Sequence, residues 1–174
     1  MSIRLSARFN ATRTAFPVDL KRLGRSFIRE IKFKIRGLRT MPNAPRLFRI
    51  ILQVPDLDQA ETFYGELLGD RGRRIPRASR HYIDCGPVIL ALVDPSVDDQ
   101  KPLPLPDYIY FAVNNLEEIH KRATGLNCLS KEDVHSSSAG DIARRPWGER
   151  SFYVRDPWGN GLCFVDETTL FTGK

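Results

Sequence analysis

The stretch RSFYVRDPWGNGLCFVD, residues 150–166, decides the fold of this chain. Two apolar runs flank a short segment rich in turn-forming residues, namely Asp156, Pro157, Gly159 and Asn160. Proline fixes its own φ and glycine permits a positive φ, so the segment favours a tight reversal of the chain. The stretch therefore predicts a β-hairpin with strands at 151–154 and 162–165.

Two upstream segments each predict a strand followed by a helix. The segment FRIILQVPDLDQAETFY, residues 48–64, has an apolar run, then Pro55-Asp56 as a helix-starting turn, then an amphipathic pattern. The segment YIYFAVNNLEEI, residues 108–119, repeats this order. Helices are predicted at 57–68 and 115–124, and the likeness of the two segments indicates an internal repeat.

Together these segments resemble the vicinal oxygen chelate superfamily, which contains glyoxalases, extradiol dioxygenases and antibiotic-binding resistance proteins. The resemblance covers about residues 46–167. It implies an α+β fold in which two βαβββ modules form a curved mixed-sheet cup, with module one at about 46–94 and module two at about 107–167. The further strands expected are 46–54, 73–78, 80–85 and 87–93 in module one, and 107–113, 127–130, 149–155 and 161–166 in module two.

Composition is that of one globular domain. The chain has 174 residues, of which 41% are hydrophobic and 28% charged. No apolar run approaches the roughly 20 residues that span a bilayer. Cys85, Cys128 and Cys163 are odd in number and form no Cys-x-x-Cys pair, which argues against a disulfide framework or a structural zinc site. These features predict a protein of the reducing cytoplasm.

Positive charge is concentrated at the start of the chain. Residues 1–40 contain 11 Lys and Arg against 2 Asp and Glu, whereas residues 41–174 contain 16 against 19. From Asp19 onward, apolar residues recur at near-helical spacing among Arg and Lys, which predicts a basic amphipathic N-terminal extension. Such a helix suits an anionic membrane surface or an import segment. The alternative is a disordered or non-native tail, with Met41 as the true start of a domain at 41–174.

Strand alternation indicates which side chains line the predicted cup. In the first strand Ile50 and Leu52 suit the helix-covered face, which leaves Arg49 and Gln53 on the other. The same argument turns Tyr108, Tyr110 and Cys163 inward. The resemblance adds Trp147 and Phe152, because resistance proteins of the superfamily carry ligand-stacking aromatic residues near this strand. The predicted ligand-binding set is Arg49, Gln53, Tyr108, Tyr110, Trp147, Phe152 and Cys163.

The resemblance also implies a metal position, and this sequence departs from it. Metal-dependent members carry His or Gln on the first strand of each module and an acid on the last. The matching positions here are Arg49, Leu90, Tyr108 and Cys163, which do not form a hard-metal ligand set, since an arginine cannot ligate a cation. His81, His120 and His135 have no paired spacing. No metal or other cofactor is therefore predicted; a divalent metal with non-standard ligands is the alternative.

The predicted ligand follows from the predicted lining. Arginine favours carboxylate or phosphate and tyrosines stack on flat groups, so a small anionic or planar aromatic molecule is expected. Alternatively, Arg49 forms an internal salt bridge with Glu149 or Asp84. Residues 130–143 are polar and long, which suits a lid or a subunit contact. The resemblance implies a homodimer, and nucleic acid is not expected because the globular part is acidic.

The sequence thus predicts a metal-free binding protein of the bleomycin-resistance type rather than an enzyme. The alternative is a metal-dependent glyoxalase-like lyase or a dioxygenase. Contact with a membrane through residues 1–40 is a third, weaker hypothesis. No catalytic residue is assigned.

Overall fold

A computed structural model describes residues 45–173 of the chain. The predicted basic helix of residues 1–40 lies outside these residues. Within them, two α-helices, two short 3-10 helices (Pro95–Asp98 and Glu167–Thr169) and ten strands follow one another along the chain. The strands and helices of module one are β1 (Arg49–Gln53), α1 (Leu57–Leu68), β2 (Arg73–Arg74), β3 (Arg80–Cys85) and β4 (Val88–Val93). Those of module two are β5 (Tyr108–Val113), α2 (Leu116–Gly125), β6 (Asp133–Val134), β7 (Ser137–Ser138), β8 (Ala143–Arg144), β9 (Arg150–Arg155) and β10 (Gly161–Asp166).

Each module contains a four-stranded mixed sheet. The strand orders are β1-β4-β3-β2 and β5-β10-β9-β8, and the first pair in each sheet is parallel while the others are antiparallel. A third, two-stranded sheet consists of β6 and β7. The two larger sheets are equivalent by strand order and direction, so the predicted pair of βαβββ modules is confirmed.

Local capping explains where both helices begin. The Asp56 carboxylate accepts hydrogen bonds from the backbone N–H groups of Asp58 and Gln59, at 2.8 and 3.0 Å, which satisfies two donors of the first turn of α1. Gly69 ends that helix with a φ of +79°. Asn115 caps α2 in the same way through the N–H of Glu118, at 3.1 Å. These caps are readable in the sequence, and both predicted helices are confirmed to within one residue.

Three of the predicted strands are wrong in extent. The strand expected at 73–78 ends at Arg74, because Pro76 lacks an N–H and Arg77 has a φ of +60°. The strand expected at 127–130 is reduced to one bridge between Leu129 and Val154, and its place beside β9 is shared with β8. The chain leaves this edge to form the β6–β7 hairpin. β1 is also shorter than the predicted 46–54.

One hydrophobic core joins the two modules. It contains buried residues of both helices, among them Tyr64 and Leu67 of α1 and Ala123 of α2, together with the helix-covered sides of both sheets. Tyr64 donates a hydrogen bond of 2.7 Å to Asp156 in the β9–β10 turn. Among residues 45–173, no helix is long and apolar enough to cross a bilayer.

Candidate functional site

Each large sheet has one face that packs against the helices and one that does not, which we call the helix-free face. Ile50 and Leu52 of β1 belong to the shared core, so Arg49 and Gln53 alternate onto the helix-free face of module one. In module two, Ile109 and Phe111 pack against the core, which leaves Tyr108 and Tyr110 on the helix-free face. Cys163 pairs with Tyr110 in the parallel register and so shares that face.

Arg49 is a half-buried cation without a carboxylate among the described residues. Its guanidinium carbon lies 4.6 Å from the centre of the Tyr82 ring and 5.0 Å from that of Phe48, and its Nε is buried without a hydrogen-bond partner there. Neither suggested salt bridge is formed. Asp84 bonds Arg73 at 2.7 Å, and Glu149 bonds the indole of Trp147 and the N–H of Phe171.

Gln53 is occupied by a structural contact. Its side-chain oxygen accepts a hydrogen bond from the backbone N–H of Leu103, at 2.8 Å. Its backbone oxygen accepts a longer bond of 3.4 Å from the Asn160 amide. Gln53 therefore ties the segment between the modules to the end of β1, which leaves less of its side chain for a ligand.

Cys163 lies on the predicted face but is covered. It belongs to a small apolar cluster with Ala139, Tyr153 and Val165, and it is fully buried. Burial raises the pKa of the Cys163 thiol to about 12. A thiol that stays protonated at neutral pH is a poor nucleophile, so Cys163 contributes volume and packing rather than reactivity.

The β6–β7 hairpin lies over this cluster, and Arg145 holds it there. His135 and Ser136 form its two-residue turn with φ values of +52° and +61°. The Arg145 side chain, 2% exposed, donates to the Ser137 hydroxyl at 2.7 Å and to the hydroxyl and carbonyl of Ser151, both at 3.0 Å. Its guanidinium carbon is 5.0 Å from the centre of the Tyr153 ring. One buried cation thus fastens the hairpin to β9.

Substitution of Ser137 tests this fastening. Ser137→Ala is expected to lower the free energy of unfolding by about 1.5–3 kcal/mol, because it removes a hydrogen bond to a charged group. It should also speed the reaction of Cys163 with a maleimide. The exposed neighbour Ser138 provides the matched control, and Ser138→Ala should change stability by no more than about 0.5 kcal/mol. Denaturant titration and mass-resolved thiol labelling give both readouts; equal behaviour of the two variants would contradict the role assigned to Arg145.

The two predicted tyrosines differ in availability. The Tyr108 hydroxyl donates to Glu132 at 2.9 Å, and Arg155 contacts both oxygens of the same carboxylate at 2.9 Å. Hydrogen bonds from Arg155 and then Tyr108 hold the pKa of Glu132 below its ordinary value. Tyr110 is 54% exposed, with its ring edge against Tyr153. Of the two, Tyr110 presents the more accessible ring to a ligand.

Phe152 was wrongly placed on the cup wall. It is fully buried on the helix-covered face, where its ring stacks on Phe164 at 5.4 Å and meets His120 of α2 edge to face. The antiparallel register explains this, since Phe152 lies directly opposite Phe164. Trp147 lies in the β8–β9 turn, where its indole N–H donates to Glu149 at 2.6 Å and its ring contacts His135.

Three residues of the helix-free faces were absent from the sequence prediction: Tyr82, Arg145 and Tyr153. Alternation along 80–85 would have identified Tyr82, because His81 and Ile83 are the buried members of β3. Tyr153 alternates with Phe152 in the same way. Arg145 precedes β9 in a turn, where no periodicity indicates its burial.

The residues present do not fit the metal position implied by the superfamily. On the helix-free faces the strand pairs are Ile51 with Ala91 and Tyr110 with Cys163, and Leu90 is buried on the opposite, helix-covered face. Within residues 45–173, no three His, Cys, Asp or Glu side chains are grouped so that they could hold an ion. His81 contacts the carbonyl of Arg71, and His120 contacts that of Gly140.

A separate cleft of about 640 Å³ lies between the two modules. Its walls are mostly apolar and come from both helix-covered faces, from the ends of α1 and α2, and from the exposed edge of β5. Tyr110 is the one residue of the predicted ligand-binding set among its lining residues. Arg49 and Cys163 therefore lie away from this cleft.

The comparisons with known proteins agree with this architecture. Residues 46–164 match the model of the Glyoxalase/Bleomycin resistance protein/Dioxygenase superfamily. No curated protein matches the chain. Among solved structures, a glyoxalase/bleomycin resistance protein from Albidiferax ferrireducens T118 is 19% identical with a TM-score of 0.54, covering 69% of this chain and 97% of its own.

Two further structures are similar. A lactoylglutathione lyase from Agrobacterium tumefaciens is 24% identical with a TM-score of 0.51, and the match covers 71% of this chain and 95% of the lyase. TioX from Micromonospora sp. ML1 is 18% identical with a TM-score of 0.50, and the match covers 71% of this chain and 99% of TioX. At these identities the likeness shows a shared fold and not a shared reaction. The family model spans more than half of the chain, so this protein belongs to the Glyoxalase/Bleomycin resistance protein/Dioxygenase superfamily, within the vicinal oxygen chelate fold.

Proposed function

We propose that this protein binds a small planar organic anion on its helix-free faces and does so without a metal ion, in the manner of the bleomycin-resistance type. The observation that carries the proposal is Arg49. Its Nε has no partner among the described residues, and Asp84, one of its two predicted partners, is bonded to Arg73. The half-buried guanidinium therefore retains donors for a carboxylate or phosphate. The ring of Tyr82 holds it in place.

A second copy of the chain completes the site in this proposal. Arg49 and Tyr82 belong to one sheet and Tyr110 to the other, and β1 and β5 are edge strands of their sheets. Ile51 and Tyr110 are 46% and 54% exposed on the helix-free faces, which suits burial against a partner or a ligand. Module one of one subunit would face module two of its partner. Cys85, Cys128 and Cys163 are unpaired thiols, which suits the reducing cytoplasm.

Titration with matched ligands tests the charge preference. Calorimetry with 2-naphthoate and with its neutral isostere 2-naphthamide should show the carboxylate binding about tenfold tighter or more, because a charge-assisted hydrogen bond contributes about 1.5–3 kcal/mol. Arg49→Gln should remove that preference. Arg46→Gln, at an exposed position three residues earlier, should leave it unchanged. Equal affinities for the acid and the amide in the unmodified protein would contradict the proposal.

Metal analysis separates the proposal from its alternative. Binding of 2-naphthoate should be the same before and after treatment with a chelator, and added zinc, nickel, manganese or ferrous iron should not change it. Loss of binding with the chelator, together with a stoichiometric metal in the purified protein, would instead favour a metal-dependent lyase or dioxygenase.

The oligomeric state tests whether a second copy completes the site. Sedimentation at the concentration of the titration should give a dimer, and a monomer that binds with full affinity would contradict the shared site.

A further inference from the structure

One carboxylate of module two is bound by two neighbouring donors on the helix-free face. Both side-chain oxygens of Glu132, which precedes β6, lie 2.9 Å from Nη2 of Arg155, and one of them lies 3.3 Å from Nε of the same guanidinium. The Tyr108 hydroxyl donates to Glu132 at 2.9 Å as well. A guanidinium and a phenol thus converge on one carboxylate, and this is an arrangement that can bind an organic acid.

The sheet positions these donors independently of Glu132. Tyr108 of β5 and Arg155 of β9 both pair with Gly161 of β10, which lies between them. An added Cβ at Gly161 would lie 2.6 Å from the Tyr108 ring, so the ring lies across β10 at the position where a side chain is missing. Its hydroxyl reaches Nη2 of Arg155 on the next strand, at 3.4 Å, and Nη1 of Arg155 donates to the carbonyl of Gly159 at 3.2 Å.

Glu132 is not required to hold the β6–β7 hairpin in place. Backbone hydrogen bonds already join both ends of this segment to β9, since Ser130 donates to the Tyr153 carbonyl at 2.9 Å and Tyr153 donates to the Ala139 carbonyl at 2.8 Å. The side chains of Arg155 and Glu132 are 42% and 53% exposed, and an ion pair this exposed contributes little to stability. An external acid can therefore compete for the same donors without unfolding the hairpin.

Aromatic surface adjoins the donors. The Tyr108 ring meets the Tyr153 ring edge to face at 4.9 Å, and the guanidinium carbon of Arg155 lies 5.5 Å from the centre of the Tyr108 ring. We propose that Arg155 and Tyr108 form a second binding site, which takes a small aromatic carboxylic acid, and that the chain's own Glu132 occupies this site until such a ligand displaces it. Glu132 is then a tethered competitor that lowers the apparent affinity of the site.

This second site uses none of the residues that carry the proposed function. Arg49 lies on β1 of module one, whereas Arg155 lies on β9 of module two. Because Glu132 occupies the second site, Arg49→Gln alone should still remove the preference for 2-naphthoate over 2-naphthamide. The Arg49→Gln background therefore isolates the second site, and either proposal can fail without the other.

Removal of the competing carboxylate tests the proposal in that background. The full chain with Arg49→Gln and Glu132→Ala should bind 2-naphthoate several-fold tighter than 2-naphthamide in calorimetry, because the Arg155 donors are then free. Arg49→Gln with Asp133→Ala is the matched control and should show no preference. Asp133 is the next residue, is exposed and loses the same charge, whereas the carboxylate bonded to Arg155 is that of Glu132. Adding Arg155→Gln to the Glu132→Ala chain should abolish the preference.

The Nε–H resonance of Arg155 reports where the acid binds. In an NMR titration of the Glu132→Ala chain, 2-naphthoate should shift this resonance and 2-naphthamide should not. Glu132→Gln keeps the length of the side chain and removes its charge, so it should give a smaller gain in affinity in the same direction and repeats the test if the alanine variant does not fold. An unchanged Arg155 resonance, or equal affinities for the acid and the amide after removal of Glu132, would overturn the proposal. So would equal gains from Glu132→Ala and Asp133→Ala, because net charge would then explain both.

Discussion

Asp156→Ala is expected to lower the free energy of unfolding by about 3–5 kcal/mol, since it removes a buried acceptor and leaves its donors unpaired. The Asp156 carboxylate is 5% exposed and accepts four hydrogen bonds. One oxygen receives the backbone N–H groups of Trp158 and Asn160, at 3.0 and 2.7 Å. The other receives the Tyr64 hydroxyl and the Asn160 side-chain amide, both at 2.7 Å. Denaturant titration followed by circular dichroism measures the loss.

The size of the effect follows from where Asp156 lies. Its bonds to Trp158 and Asn160 close the β9–β10 turn, and its bond to Tyr64 joins that turn to α1 of the other module. Asn160 in turn accepts the N–H of Leu105 at 3.0 Å, so the segment between the modules depends on the same turn. Loss of the carboxylate should therefore weaken the hairpin and the contact between the modules together.

Tyr64→Phe is the matched comparison for Asp156→Ala. It deletes one of the four hydrogen bonds and keeps the aromatic packing, so it should cost about 1 kcal/mol. The pKa of Tyr64 is raised well above its ordinary value by burial and by the neighbouring Asp156, so the hydroxyl stays protonated as a donor across the working pH range. If Asp156→Ala destabilised the protein no more than Tyr64→Phe, the turn would not have the connecting role described above.

Local signals made the hairpin and both helices predictable. Asp56, Asn115 and Gly69 act within one turn of the helices that they begin or end, so the sequence alone contains the reason for each boundary. The β9–β10 turn is likewise predictable, because its turn-forming residues lie within the turn itself. The strand expected at 127–130 failed because its partner edge is shared with β8, which lies more than ten residues further along the chain.

The candidate site was less predictable because it depends on strand register and on contacts between residues far apart in the sequence, such as the β6–β7 hairpin that covers Cys163. Phe152 was assigned to the cup even though pairing with Phe164 places both rings on the helix-covered face, and only the antiparallel register settles this. The match of Leu90 to a metal-ligand position is wrong for the same reason, because Leu90 pairs with Ile50 and so lies on the helix-covered face. The cover over Cys163 depends on Arg145 and Ser137, whose contact joins a turn to a hairpin and leaves no periodic trace in the sequence.

Membership of the superfamily fixes the fold but not the chemistry. Where metal-dependent relatives are expected to carry ligands, this chain has Arg49, Leu90, Tyr108 and a covered Cys163. Arg49 lies on the helix-free face of module one and has no carboxylate partner among residues 45–173.

Gly72→Ala is expected to destabilise the protein by about 3 kcal/mol or more, as both conformation and space at this position require glycine. Gly72 has a φ of +66°, and an added Cβ would lie 2.2 Å from the carbonyl oxygen of Tyr82 and 2.9 Å from both His81 and Ile83. Those atoms belong to β3, which is paired on both sides, so the backbone cannot withdraw without breaking the sheet. The strain would fall on the pairing of Arg73 with Tyr82, next to the ring on which Arg49 lies.

Gly86→Ala separates the two contributions. Gly86 has the same φ of +66° but no heavy atom within 4 Å of an added Cβ. This variant should therefore lower the free energy of unfolding by only about 1–2 kcal/mol, the cost of placing alanine in the left-handed backbone conformation. The difference between the variants in denaturant titrations is then the steric cost at Gly72 alone. Gly72→Ala should also weaken 2-naphthoate binding by displacing Tyr82, whereas Gly86→Ala should not. Equal stabilities for the two variants would mean that the β3 backbone shifts at Tyr82 to accommodate the added Cβ. Tyr82 would then not hold Arg49 rigidly, contrary to the role given to it here.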